Sequence, residues 1–176
     1  LLGIKMNIGI IVKDLNASQL SYLAIQYANI INKTTDNNCV IFFENISQEC
    51  LGNSQVPTLD ISEAWSFEGV LIATDIDQAI HISNIPANQE KVFYIWDLEW
   101  TRNKTDFAYN MKGFRSDNIK LICRSQEHQK AIANYCNITP EVVYNFNILD
   151  ILTTIGHENE IRRETQRVSV KRLLSG

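Results

Sequence analysis

Residues 6–18 read MNIGIIVKDLNAS, and the order of features in this stretch decides the fold. The first eight residues are a compact apolar run of strand length. Such runs suit a strand buried on both faces, as in a parallel sheet covered by helices. A short polar loop follows. Leu20, Leu23, Ala24, Tyr27, Ala28 and Ile31 then recur at helical spacing to about residue 33, with Ser18 or Asn16 as the cap. The stretch is therefore strand, loop, helix. A dinucleotide site here would need GxGxxG, so that backbone can approach the pyrophosphate. The loop has no glycine after Gly9, so NAD or FAD binding of the usual kind is not expected. Walker A is absent from the whole sequence, and no cofactor is expected.

The same alternation continues outward. Short apolar runs at 39–43 (CVIFF), 58–61, 69–73 (GVLIA), 91–96, 119–123 (IKLIC) and 142–144 read as strands. Between them lie a brief turn or helix at 62–67 and a short helix capped by Thr74 or Asp75 that carries Ala79, Ile80 and Ile82. A further helix is expected near 107–111, another from Ser125 through 135, and a last one at 148–155. Strands alternating with helices predict a doubly wound, Rossmann-like parallel sheet of about six strands with residues 6–13 central. The expected organisation is one domain over residues 1–155 and a charged tail over 156–176. Met6 is read as the natural start, with residues 1–5 as an upstream extension.

The chain has 176 residues, 45% hydrophobic and 20% charged, enough for a core without staples. A net charge of -4 argues against a general nucleic-acid binder. No apolar run is long enough to span a membrane, and the first residues lack the pattern of a secretion signal, so a cytoplasmic location is expected. Cys39, Cys50, Cys123 and Cys136 form no CxxC pair and read as reduced structural cysteines. Five Asn-x-Ser/Thr triplets, at Asn16, Asn32, Asn45, Asn103 and Asn137, are taken as chance in an Asn-rich chain. His81, His128 and His157 are dispersed and give no metal-ligand spacing.

In an open α/β sheet, ligands collect outside the carboxyl ends of the strands. Those ends carry Lys13 and Asp14, Glu44 and Asn45, Thr74 and Asp75, Asp97 and Glu99, Arg124 and Ser125, and Asn145. The run 93–100, FYIWDLEW, ends an apolar strand with two carboxylates between two tryptophans. Sugar rings stack on indole faces and sugar hydroxyls donate to carboxylates, so Asp97, Glu99 and Trp100 are candidate sugar-binding residues. A second reading has Trp96 and Trp100 packing the loop while Asp97 and Glu99 cap backbone or pair with Arg102. Arg124, Ser125 and His128, in RSQEH, open a helix at the same edge and offer donors to a phosphate or a hydroxyl. There the plainer reading is a helix cap.

Four motifs, AWSFEGVLIATD, KVFYIWDLEW, LICRSQEHQKAIANYCN and VVYNFNIL, resemble in order and spacing the amino-terminal domain of GT-B glycosyltransferases, including glycosyltransferase-like proteins of tailed phages. The likeness covers residues 6–155. It implies an acceptor-side half whose partner half, holding the nucleotide-sugar, would begin near residue 148. The charged sequence there departs from that pattern. Donor-binding residues have no counterpart, and no catalytic base transfers, although Asp97, Glu99 and His128 stand at the matching edge. Enzyme status is therefore left open, and the chain by itself is expected not to turn over a nucleotide-sugar. The alternative is a non-catalytic structural or interaction protein of a tailed phage.

Residues 157–176 are expected to dock on a protein partner or another copy. Ile161, Val168, Val170, Leu173 and Leu174 are the anchors, Val168 and Val170 alternate around Ser169 as in a strand, and Lys171 and Arg172 would sit at the rim. Glu158, Glu160 and Glu164 oppose a nucleic-acid role for this segment.

Overall fold

A computed structural model describes residues 5–45, 55–86, 89–102 and 106–157. The chain runs β1 (Asn7–Asp14), α1 (Gln19–Thr34), β2 (Asn38–Asn45), β3 (Thr58–Asp60), β4 (Val70–Ala73), α2 (Ile76–Ser83), β5 (Glu90–Ile95), α3 (Phe107–Phe114), β6 (Lys120–Cys123), α4 (Gln126–Cys136), β7 (Glu141–Val142) and α5 (Ile148–Thr154). Short 3-10 segments lie at Ile61–Ser66, Glu99–Thr101 and Tyr144–Phe146.

The strands form one sheet of order β3-β2-β1-β4-β5-β6-β7, and every pair is parallel. This is the Rossmann-like α/β arrangement expected from the alternating runs, and its seven strands fall on the seven apolar runs, against an expected sheet of about six. β1 is central, and the strand order reverses between β1 and β4.

Parity along each strand sends side chains to two separate cores. Ile8, Ile10, Val12, Ile41, Ile72, Val92 and Tyr94 face α1 and α5. Ile11, Phe42, Leu71, Ala73, Phe93, Ile95 and Cys123 face α2, α3 and α4. Every residue of β4 is buried, which explains why its sequence shows no polar alternation. Gly9 lets the sheet close on the second face: a Cβ there would lie 2.7 Å from the Phe42 ring and 2.8 Å from Leu71.

Helix starts follow the cap residues. Ser18, Asp75, Asp106, Ser125 and Asn147 each accept from a backbone N–H in the first turn. Ser18 caps α1; the N–H of Asn16 donates instead to Asp14 Oδ1 at 2.9 Å. Cys39, Cys123 and Cys136 are buried free thiols. No helix among the described residues is long and apolar enough to cross a membrane. Of the expected tail only Gly156 and His157 are described: the His157 N–H donates to Leu152 O at 3.0 Å and its ring lies 2.6 Å from Glu90. The rest of that expectation lies outside the described residues.

Candidate functional site

Because all strands are parallel, their carboxyl ends share one edge, and that edge divides into two halves. Over β2, β1 and β4 it is acidic. Asp75 caps α2 through Gln78 N–H at 2.8 Å, and Tyr109 donates its hydroxyl to Asp77 at 2.8 Å. Glu44, Lys13, Asp77 and Asp75 lie within one another's electrostatic reach. Over β5, β6 and β7 the edge carries Trp96, Asp97, Arg124, Ser125, His128 and the turn Tyr144–Phe146.

The tryptophans do not sandwich the carboxylates. Trp96 packs on the α1 and α5 core, and Trp100 on the opposite one. Arg124 lies over the Trp96 ring, 4.5 Å from its centroid, and donates to Trp96 O at 3.3 Å. One face of Trp100 is stacked on Tyr135 at 4.3 Å, and Phe114 meets it edge on.

The carboxylates part in the same way. Asp97 accepts from its neighbour's Leu98 N–H at 2.9 Å and pairs with Arg102 at 2.9 Å, a contact too exposed to stabilise much. Glu99 reaches across to α2, where Ile76 N–H donates to its two oxygens at 3.2 and 3.4 Å. Burial pushes the Glu99 carboxyl up to about 8, with Asp75 adding repulsion; burial also pushes Asp75 up to about 6. Glu99 therefore holds a proton at neutral pH.

Arg124, Ser125 and His128 come together at the start of α4. The Ser125 hydroxyl accepts from His128 N–H at 3.2 Å and lies 3.1 Å from His128 Nδ1. That hydroxyl is free to donate to Nδ1, which leaves Nε2–H as the ring's donor. Burial and the nearby Arg124 hold the His128 pKa below its ordinary value despite Asp97, so the ring is neutral at pH 7. Asp97, Arg124, Ser125 and His128 thus form one group, while Glu99 and Trp100 belong to its acidic and apolar surroundings.

Sequence reasoning missed Tyr94. Its hydroxyl donates to Val143 O at 2.6 Å and accepts from Phe146 N–H at 3.1 Å. It clamps a turn in which both Asn145 (φ 58°) and Phe146 (φ 53°) are left-handed. Non-glycine residues held there cost roughly 1–3 kcal/mol each and persist only where the surroundings force them. A phenol inside an apolar strand was the available signal, because a buried Tyr hydroxyl needs a partner. Glu44 and Asp75 follow from the strand ends, whereas Asp77, one turn into the same edge on α2, was missed.

The chain matches no protein-family model and no curated protein. Among the described residues no three His, Cys, Asp or Glu stand close enough to hold a metal ion.

The protonated Glu99 sets a pH dependence. Its ordinary value is 4.5, so on raising the pH the unfolded chain loses this proton first. Stability from this group is full below about pH 4.5 and is lost as pH rises toward 8. His128 titrates in the opposite sense below its ordinary 6.5, so the clean window lies above that pH. Urea unfolding should show a loss of about 1–2 kcal/mol between pH 6.5 and 8.5, allowing for the partial exposure of Glu99. Glu99→Gln should flatten this slope. An equally steep slope in Glu99→Gln would contradict the assignment.

Proposed function

We propose that the chain is a glycosyltransferase-like binding domain of the GT-B half type, which holds a sugar or glycosyl acceptor at its carboxyl-end rim and transfers no sugar by itself. The observation that carries this reading is the group Asp97, Arg124, Ser125 and His128, drawn from the ends of two adjacent strands and seated beside the clamped turn. A sugar hydroxyl both donates and accepts. Asp97 supplies an acceptor, Arg124 and the neutral His128 supply donors, and Ser125 serves as either. The resemblance of residues 6–155 to the acceptor side of GT-B enzymes points to the same edge.

Transfer from a nucleotide-sugar would place growing charge on a leaving diphosphate, and catalysis would need cations aimed at it. The described rim is mostly acidic: Glu44, Asp75, Asp77 and Asp97 outnumber Lys13 along it, and Arg124 is held on Trp96. A second reading, a non-catalytic interaction module such as a tailed phage would use, draws on β3, the edge strand of the sheet among the described residues. All three β3 residues are exposed, with Leu59 at 41% and Trp65, in the following turn, at 48%.

Binding to an oligosaccharide panel, compared between the native chain and Arg124→Ala and His128→Ala, tests the proposal. At least one glycan should bind, and each substitution should weaken it tenfold or more with the fold intact by circular dichroism. Binding unaffected by both substitutions, or none across the panel, would remove it. Turnover of a UDP- or GDP-sugar by the native chain, abolished by changing Asp97 or His128, would contradict the non-catalytic part.

A further inference from the structure

A groove of about 640 Å³ lies at the amino-terminal edge of the sheet, opposite the rim. Its lining comes from the segments that enter β6 and β7 and from the end of α5, with Ile119, Leu121, Ile138 and Ile155 as apolar walls. It exists because β7 is shorter than β6. Ile122 and Cys123 pair with β7, whereas Lys120 and Leu121 pair only with Val92 and Phe93 of β5. One edge of Lys120–Leu121 therefore faces the groove with no strand beside it among the described residues. Asp117 and Glu141 are exposed carboxylates in its lining, and neither has an ion-pair partner among the described residues; Arg115 and Lys120 line it too, with Lys120 paired to Glu90.

We propose that residues 158–176 of the same chain occupy this groove, with Val168–Val170 laid along the open edge of β6. The chain reaches the groove where it must. Ile155 lines it and accepts from Lys120 Nζ at 2.8 Å, and His157 is held by Glu90 beside the same end of β5 and β6. The 19 residues beyond His157 span up to about 60 Å when extended, more than enough to enter it. Val168 and Val170 share one side of an extended segment and match the apolar wall, and Ser169 faces away. Arg167 and Lys171 flank them and complement Asp117 and Glu141. This site is independent of the sugar-binding rim.

Hydrogen exchange read by mass spectrometry tests the docking on the full 176-residue chain. In the unmodified protein, amides of residues 167–171 should exchange at least tenfold more slowly than a random coil, and coil rates there would overturn the proposal. In the full-length Val168→Glu/Val170→Glu variant, residues 119–122 and 138–141 should gain tenfold or more in exchange rate, while β1 and β4 stay unchanged. No change at the groove would overturn it. Light scattering across a hundredfold concentration range should find a monomer for both proteins. A dimer that the variant dissolves would overturn docking within one chain and make a second copy the occupant.

Discussion

Gly69→Ala should lower stability by about 4 kcal/mol, enough to leave many domains of this size partly unfolded. Gly69 sits where the chain enters β4, with φ at +146°, a conformation closed to L side chains. An added Cβ would lie 2.2 Å from the backbone oxygen of Asn7, which no rotamer change can relieve. Asn7 opens β1, and its side-chain amide donates to Glu68 O at 3.0 Å, so the two central strands are brought together here. Urea unfolding measures the cost. A loss under 1 kcal/mol would mean that the β1–β4 junction is not as close as the structure places it.

Tyr94→Phe comes next, at about 3 kcal/mol. The substitution preserves the ring and its edge-on contact with Phe146, 4.9 Å between centroids. It removes one oxygen that serves two buried backbone groups, Val143 C=O and Phe146 N–H. Unpaired buried groups cost roughly 1–3 kcal/mol each, and both would be orphaned. The left-handed pair Asn145–Phe146 would lose the contact that holds it. Burial pushes the phenol up to about 12, so it stays protonated across the physiological range and the clamp does not depend on pH. Because the turn borders Arg124, the same variant should also weaken any ligand bound at the rim. Chemical denaturation gives the stability; a loss below 0.5 kcal/mol would mean that the hydroxyl holds nothing.

The layers of the fold were legible because they depend on local pattern. Residues 6–13 and 69–73 are continuous apolar runs since both faces of β1 and β4 are covered, and the caps Ser18, Asp75 and Ser125 act within three residues of themselves. The rim was legible for the same reason: parallel strands put all carboxyl ends on one side. The pairings at that rim were not. Glu99 meets Ile76 across 23 positions and Tyr94 meets Val143 across 49, and no local period encodes such distances. Trp96 and Trp100 look paired in FYIWDLEW, yet the loop leaving β5 sends them to opposite cores. The amino-edge groove was invisible because it comes from a mismatch in length between β6 and β7, each unremarkable alone.

Amide chemical-shift mapping of the labelled chain, titrated with the tightest-binding glycan of the panel, tests the proposal that the rim at the ends of β5 and β6 binds a sugar. Saturable shifts should concentrate in residues 97–99, 124–128 and 144–146. Shifts confined to residues 115–122 and 137–141, or to 13–18 and 74–78, would place the ligand elsewhere and contradict it, as would no shift at millimolar glycan.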